Sequence, residues 1–464
     1  MADISTPPRE PARRPDPPGP GGAEVDERSS PRQRADRDAR ARAGRPAARL
    51  AAALGDGRRA ALADVWQALW TSRLAVWAAA VYAVLTVGYQ PTGGAPHTSA
   101  PFGNLGQLLF GSAERWDGGF YTSIAVHSYH PGPVSAFFPL YPLTIRWVNA
   151  IVGSPVISGI AISLVAFAVA LYVLHRLVTL ELGARHARTA VLVLEFFPTA
   201  LFFSMVYPES LLLALTIGAV YAARTGHWAS AGVLGALASA THNSGVLVAI
   251  PIGLLYLYGP RADREPPATG ASRRWLPRYL PRLDFLWLLL VPLGLIAFFA
   301  YMQLKFGDAL RPLHLNDTIW HRHFEFLGGL IRIPGVVWHG LHTIASAPPE
   351  RLFPKTNGLY RAAVYNVVDA VALVFALTGI VAIARRLPFA YLAYTGVALA
   401  TLASAPKSVE PLASLPRYIL VLFPLQMVLA RWLDGRKRPM AWIAFGAVGL
   451  GVLSMQFATG RWVA

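Results

Sequence analysis

The sequence predicts an all-α protein that crosses the membrane many times. Hydrophobic residues make up 54% of the 464 residues, charged residues make up 14%, and long apolar runs recur along the chain. Soluble domains carry roughly 25% charged residues, so this chain lacks the polar surface that a water-soluble globule of its size needs. A multi-pass membrane protein follows, with about ten or eleven transmembrane helices.

The formal net charge of +17 arises from 42 Lys and Arg residues against 25 Asp and Glu residues. Such an excess is often the footprint of a nucleic-acid-binding protein. In a membrane protein it has another source, because Lys and Arg are retained in cytoplasmic loops and meet anionic headgroups there. We therefore predict the lipid bilayer, and no nucleic acid, as a partner. The chain has no cysteine, which excludes disulfides, thiolate catalysis and Cys-ligated metal sites.

The N-terminal segment differs in composition from the rest of the chain. Residues 1–64 are rich in Pro, Gly, Ala and Arg, and almost no aliphatic or aromatic residue precedes Leu50. Such a segment cannot bury a core, and it lacks the early apolar stretch of a secretory signal. We predict a disordered cytoplasmic tail over residues 1–64 and an integral membrane domain over residues 65–464.

The apolar runs that predict the spans lie at residues 74–89, 156–175, 189–205, 208–223, 229–258, 285–303, 362–384, 388–404, 416–432 and 440–457. Crossing about 30 Å of hydrocarbon takes roughly 17 to 25 helical residues, so most runs predict one helix each. The run 229–258 is longer, and the polar stretch 241–245 interrupts it. Such a stretch is unfavourable in lipid but suits a turn that lines a cavity, so we interpret the run as two helices in a hairpin.

The positions of arginine and lysine predict the orientation of the spans. With the tail inside, the inner connections are the basic segments 176–188, 224–228, 259–284, 385–387 and 434–439. If 229–258 were a single span, segment 259–284 with its six arginines would face outward, which favours the hairpin. The outer connections are then 90–155, 204–209, 241–245, 304–361, 405–415 and the C-terminus, and they contain Asp117, Glu209 and nine of the twelve histidines. We therefore expect the chemistry on the extracytoplasmic face of a cell membrane.

The first outer loop, residues 90–155, carries the most informative acidic residue. Asp117 is flanked by Trp116, Phe120 and Tyr121. A carboxylate in this setting can act as a general base, since aromatic faces stack on sugar rings and partial burial raises the pKa of a carboxyl group. An aromatic belt with a helix-capping aspartate accounts for the same residue types. The residues alone leave both interpretations open.

Several motifs together carry a family resemblance. They are Arg115-Trp116-Asp117 with Phe120-Tyr121 and Ile124-Ala125, then Ala136-Phe137-Phe138-Pro139-Leu140-Tyr141-Pro142, Phe197-Pro198-Thr199, Tyr207-Pro208-Glu209-Ser210, Ala240-Thr241-His242-Asn243-Ser244-Gly245, Phe306-Gly307-Asp308, Trp320-x-Arg322, Pro416-Arg417-Tyr418 and Phe423-Pro424. In this order they resemble the PIG-V mannosyltransferases of the GT-C superfamily, which add the second mannose of glycosylphosphatidylinositol anchors, and their bacterial relatives. The resemblance runs from about residue 70 to the end of the chain.

The resemblance implies a GT-C-like fold with a long first outer loop and an inverting mannosyltransferase activity. The implied donor is a polyprenyl-phosphate-linked mannose, and the implied acceptor is a glycolipid or a glycan of the cell envelope. Asp117 is the implied catalytic base. The implied substrate-binding residues are Arg115, Trp116, Tyr121, Glu209, His242, Asn243, Trp320 and Arg322, and the implied donor-phosphate ligands are Arg417 and Arg146. Glu209 could instead cap its helix, and Arg417 could instead extend to the lipid headgroups.

Three departures from the family pattern bear on donor-phosphate binding and acceptor choice. Ser128 stands where members usually have Gly, and His242 stands where they often have Arg. Val134 and Ser135 precede the Ala-Phe-Phe-Pro run, where members often have a charged residue.

Functions of other classes stay open at this level. A transporter also uses broken helices and charges within the membrane, but here the ionisable residues cluster at the outer boundary and no inverted repeat is seen. A lipid flippase and a non-catalytic subunit of a glycan-assembly complex are further alternatives. We predict no metal site, because the histidines within 321–323 and 339–342 lack a partnering carboxylate pattern. No cofactor is implied with certainty, and a divalent cation is left open.

Overall fold

The computed structural model describes residues 57–88, 101–265, 276–346 and 358–463. Its secondary structure within these ranges is entirely helical, with no β-strand, as the sequence predicts. Most of the predicted tail, residues 1–56, lies outside the described ranges. The first helix begins at Arg58, so the last residues of the segment predicted as a tail are helical.

The α-helices are α1 Arg58–Val87, α2 Gly103–Phe110, α3 Asp117–His127, α4 Leu140–Val152, α5 Pro155–Leu182, α6 Ala187–Glu195, α7 Glu209–Arg224, α8 Trp228–Thr241, α9 Ala249–Tyr258, α10 Leu293–Phe306, α11 Arg311–Thr318, α12 Gly328–Ser346, α13 Gly358–Arg386, α14 Phe389–Ala403, α15 Leu415–Tyr418, α16 Phe423–Gly435 and α17 Pro439–Ala458. Short 3₁₀ helices lie at Gly111–Glu114, Pro133–Ala136, Ala184–His186, Ala200–Phe203, Asn243–Val248, Leu283–Leu290 and Ile419–Val421.

Several helices have the length and composition to cross a membrane. In the described part of the chain they are α1, α5, Tyr360–Arg386 of α13, and α17. Two bent pairs also qualify if each is counted as one span: Leu283–Leu290 with α10, bent by 43°, and Leu415–Val421 with α16, bent by 82°. An all-α multi-pass membrane protein is thus confirmed. The count of ten or eleven spans stays a prediction, because α8, α14 and the segment Asn243–Tyr258 are apolar but shorter than 18 residues.

The run 189–205 does not form the single helix that its hydropathy predicts. Helix α6 ends at Glu195, and a separate 3₁₀ turn follows at Ala200–Phe203. Pro198 lies between them, and proline removes a helical N–H group and clashes with the carbonyl four residues earlier. The chain therefore enters the next segment, which leads to Glu209, in a new direction.

The run 229–258 is broken at the position that the sequence predicts. Helix α8 ends at Thr241, and His242 adopts an extended conformation. A Cβ atom at Gly245 would lie 2.0 Å from the carbonyl oxygen of Ala238, so the chain can approach the end of α8 this closely only at a glycine. The turn therefore depends on Gly245 as well as on the polar residues before it.

A buried ion pair anchors the break after α6. Nη2 of Arg73 in α1 lies 3.1 Å from Oε2 of Glu195, and both side chains are almost fully buried. Arg73 also donates to the carbonyl oxygens of Glu195 at 3.0 Å and Ala200 at 2.8 Å, and to Oγ of Ser204 at 2.8 Å. A helix end leaves carbonyl groups without intrahelical partners, and here Arg73 satisfies two of the carbonyls in the broken segment. The first helix thus holds this segment, and Glu209 a few residues beyond it.

We expect Glu195→Ala to destabilise the fold strongly. The substitution leaves the buried Arg73 guanidinium without its counter-charge, and removing one partner of a buried pair typically costs about 3–5 kcal/mol. Thermal unfolding of the protein in detergent measures the change. The control is Glu325→Ala, which removes the carboxylate of a Glu–Arg pair that is 40% exposed on its Glu side. A surface pair contributes little, so equal losses in the two variants would contradict the proposed anchoring role.

Candidate active site

Three charged residues from distant parts of the chain meet in one cluster. Nη1 of Arg417 in α15 donates to Oδ2 of Asp117 at 2.8 Å. Nε of the same guanidinium donates to Oε1 of Glu209. Asp117 is the first residue of α3 and Glu209 is the first residue of α7. The positive ends of two helix dipoles and one guanidinium therefore stabilise the two carboxylates together.

Backbone geometry directs these side chains toward each other. Trp116 has φ 57° immediately before Asp117, and Ser414 has φ 72° immediately before the short helix that carries Arg417. A positive φ is unfavourable for residues other than glycine, and such conformations concentrate at functional sites. Both turns are thus held by contacts elsewhere in the fold.

Tyr207 connects the turn at Asp117 to the rest of the cluster. Its hydroxyl donates to the carbonyl oxygen of Arg115 at 3.0 Å and accepts the backbone N–H of Asp117 at 3.2 Å. The Arg417 guanidinium lies 4.7 Å from the centre of the Tyr207 ring and 5.1 Å from that of Phe202. These aromatic faces favour the buried cation and fix its position.

The carboxylates of Asp117 and Glu209 differ in their exposure. The side chain of Asp117 is 21% exposed, whereas those of Glu209 and Arg417 are 6% and 5% exposed. Oδ1 of Asp117 has no hydrogen-bond partner among the described residues. Asp117 is therefore accessible from the cavity, whereas Glu209 lies behind Arg417.

The cluster lies in the wall of a large cavity. Its volume is about 1540 Å³, above the range of roughly 300–1,000 Å³ that is usual for small-molecule sites. Apolar side chains from α7, the 243–248 turn, α14 and the 419–421 turn form one part of the wall: Leu212, Val246, Leu247, Val397, Ala398, Val421 and Leu422. In α7 the lining residues Leu212 and Thr216 are one turn apart, and in α14 the lining residues run from Tyr394 to Leu402, which is about two turns or roughly 12 Å. The cavity therefore combines a charged region with an apolar arm.

Most of the residues singled out in the sequence lie in this wall, namely Trp116, Asp117, Tyr121, His242, Asn243, Trp320, Arg322 and Arg417. Glu209 and Arg115 do not line it. Glu209 lies behind Arg417, and Arg115 is buried with its carbonyl bound to Tyr207. Arg146 is exposed on α4 and its Nη1 donates to Oγ of Ser128 at 2.9 Å, so the structure does not bring it into the cavity.

His242 presents a hydrogen-bond donor to the cavity. Its Nδ1 accepts the backbone N–H of Ser244 at 3.2 Å and lies 2.8 Å from Oγ of the same residue. In a neutral imidazole the proton then resides on Nε2. The ring lies between Phe138 and Tyr418, with centroid distances of 6.4 and 6.2 Å. His242 and the neighbouring Asn243 thus add polar groups beside Arg417.

The wall also contains residues that sequence reasoning missed. Among them are Arg361, Lys407, Glu410 and Trp462. Trp462 packs edge-on against Trp116, with centroids 5.2 Å apart. Lys407 and Glu410 lie in the segment 405–415, which the sequence assigns to the outer side. That assignment was the one signal from which they could have been predicted. Nothing in the pattern around Trp462 distinguished it from an interfacial tryptophan.

Lys407 is a half-buried cation near a second cation. Burial lowers the pKa of its ammonium group, and the charge of Arg322 lowers that pKa further. Glu410 and, more weakly, Asp117 oppose the shift.

In the described part of the chain, no group of three or more His, Asp or Glu side chains is placed to hold a metal ion.

Comparison with known proteins gives a family match. Residues 95–255 match the family model described as Mannosyltransferase (PIG-V). The matched region covers about a third of the chain and contains Asp117, Glu209, His242 and Asn243. No curated protein and no solved structure matched the chain. The match supports a PIG-V family mannosyltransferase and indicates a glycosyltransferase.

We expect Lys407 to titrate below the ordinary range of a lysine ammonium group. Burial and Arg322 both disfavour the ammonium form, so Arg322→Gln should raise the pKa of Lys407 and Glu410→Gln should lower it. Reductive ¹³C-methylation of the lysines followed by NMR titration reports each group separately. A titration of Lys407 in the ordinary range of a lysine ammonium group contradicts its placement in the cavity.

Proposed function

Since the match supports a PIG-V family mannosyltransferase, we propose that the chain transfers mannose from a polyprenyl-phosphate donor to a lipid-linked or envelope glycan, with inversion and outside the cytoplasm. The observation that carries the proposal is the Asp117–Arg417–Glu209 cluster in the wall of a cavity with an apolar arm. A partly exposed carboxylate held by a buried guanidinium beside a large amphipathic cavity suits a reaction between a lipid-linked sugar and a hydroxyl acceptor.

The lining of the cavity supports a lipid-linked donor. The apolar arm along α7 and α14 offers a surface for a polyprenyl chain, and the charged region offers groups that can bind a sugar and its phosphate. The sequence contains neither a G-x-G-x-x-G nor a Walker A motif and has no segment long and polar enough for a nucleotide-binding domain. A donor that enters from the bilayer needs no such domain.

The proposed chemistry places Asp117 as the general base. Its free Oδ1 accepts the proton of the acceptor hydroxyl while the hydroxyl oxygen forms a bond to the anomeric carbon of mannose. The bond from that carbon to the phosphate oxygen breaks on the opposite face, and polyprenyl phosphate leaves with the electron pair. Arg417 orients Asp117 through Oδ2, and Glu209 holds Arg417 in place.

The remaining wall residues suit recognition of sugars. Trp116, Trp320 and Trp462 offer indole faces of the kind that stack on pyranose rings. The Nε2–H group of His242 and the amide of Asn243 supply hydrogen bonds to hydroxyl groups. The extracytoplasmic orientation rests on the arginine-rich connections, which the positive-inside rule assigns to the cytoplasm.

We expect Asp117→Asn to lower the rate of mannosyl transfer by about 10²-fold or more, because the amide cannot accept the proton. The assay follows transfer from polyprenyl-phosphate mannose to lipid-linked acceptors in membranes that hold equal amounts of each variant. Glu325→Gln is the matched control, since it removes an exposed carboxylate outside the cavity. Unchanged transfer in Asp117→Asn would overturn the assignment and favour a flippase, a transporter or a non-catalytic subunit.

We expect Glu209→Gln to lower kcat about 10- to 100-fold with little change in the KM for the donor. Glu209 does not line the cavity and acts by fixing Arg417, which in turn orients the base. Glu209→Asp keeps the charge and should restore part of the lost kcat. A fall in the amount of folded protein with normal kcat per folded molecule would instead mark Glu209 as purely structural.

A further inference from the structure

The cavity wall carries more positive charge than the site at Asp117 uses. Arg417 is already paired with two carboxylates. Arg322 and Lys407 also line the wall, and neither forms a salt bridge within the residues that the structure describes. Glu410 also lines the wall and Asp369 lies close enough to act on Arg322, so two carboxylates face three cations, namely Arg322, Lys407 and Arg361. This part of the wall therefore retains a net positive charge.

Arg322 is hydrogen-bonded to the backbone on both sides of Lys407. Nη1 of Arg322 donates to the carbonyl oxygen of Ala405 at 3.2 Å, and Nη2 donates to that of Ala413 at 2.8 Å. These two carbonyls flank the segment that contains Lys407, so the guanidinium ties both ends of that segment together. Carbonyl oxygens fix the position of the guanidinium without neutralising its charge. The segment thus presents a second cation close to the first.

Neighbouring cations that outnumber their counter-charges are electrostatically unfavourable in a partly buried cavity. An anion placed between them removes this cost, and a phosphate oxygen accepts hydrogen bonds from both a guanidinium and an ammonium group. The local charge therefore points to a phosphate as the missing partner.

The stereochemistry of inversion indicates which cations can hold that phosphate. In a displacement with inversion, the attacking hydroxyl and the leaving phosphate lie on opposite faces of the anomeric carbon. Arg417 is bonded to the proposed base itself, at 2.8 Å, and so lies on the side of the attacking hydroxyl. The phosphate needs positive charge on the other side of the sugar. Arg322 and Lys407 are cavity-lining cations outside the Asp117 cluster that can supply it.

We propose that Arg322 and Lys407 form the subsite for the phosphate of the lipid-linked donor, in place of Arg417 and Arg146. This inference rests on the function proposed above. The donor phosphodiester carries one negative charge, and the departing phosphate monoester gains more as the bond to the sugar breaks. Fixed cations that interact more strongly with the departing group than with the donor lower the barrier to transfer.

The test measures binding of polyprenyl monophosphate to the full-length protein in nanodiscs, by tryptophan fluorescence, with the uncharged polyprenol as the comparison ligand. We expect Lys407→Gln to weaken binding of the phosphate at least about 10-fold and to leave binding of the polyprenol unchanged. Lys407→Arg should retain most of the affinity. Lys407→Gln is the primary variant, because Lys407 takes no part in the bonds that tie the segment, whereas Arg322→Gln also removes those bonds.

The matched controls are Lys305→Gln and Arg332→Gln. Both remove an exposed cation outside the cavity and should leave binding of both ligands unchanged. The proposal is overturned if Lys407→Gln binds the phosphate as tightly as the wild type, or if the wild type does not prefer the phosphate to the polyprenol.

A parallel transfer assay separates this inference from the proposed function. If the wild type transfers mannose and Lys407→Gln keeps the wild-type KM for the donor, the subsite is wrong and the function stands. If the wild type binds polyprenyl phosphate through Lys407 but transfers no mannose, the subsite stands and the proposed function fails.

Discussion

The geometry of the candidate site depends on the buried guanidinium of Arg417. It bonds to one carboxylate 300 residues earlier in the chain and to another 208 residues earlier. A cation buried this deeply is tolerated when counter-charges and aromatic faces surround it, and here Asp117, Glu209, Tyr207 and Phe202 do so. The same requirement brings the N-termini of α3 and α7 to the short helix α15. The position of Asp117 at the cavity is therefore a consequence of where Arg417 can be buried.

Breaks in the helices make this meeting possible. The interruption after Glu195 redirects the chain toward Glu209, and the 82° bend between Leu415–Val421 and α16 places Arg417 beside it. Each break leaves backbone groups without helical partners. Arg73 satisfies two carbonyl groups at the first break. The fold thus combines long helices that can cross a membrane with irregular segments whose polar groups are satisfied inside the protein.

Much of the architecture was predictable because hydropathy and helix-breaking residues act locally. The apolar runs predicted a helical membrane protein, and the polar stretch 241–245 predicted the break at His242. Asp117 was singled out because its aromatic neighbours are adjacent in sequence. The ion pairs of Arg417 and the position of Lys407 beside Arg322 were not predictable, because they depend on contacts between segments far apart in the chain. The position of Arg146 was not predictable either, since an arginine in a sequence motif does not reveal which side of its helix faces the cavity.

The two kinds of wall in the cavity have a kinetic consequence. If the lipid chain occupies the apolar arm along α7 and α14, the acceptor must approach Asp117 through another part of the cavity. Donor and acceptor can then be bound at the same time. Under the proposed function, such an arrangement suits a sequential mechanism through a ternary complex. That mechanism needs no sugar attached covalently to the protein, because the acceptor itself attacks the anomeric carbon.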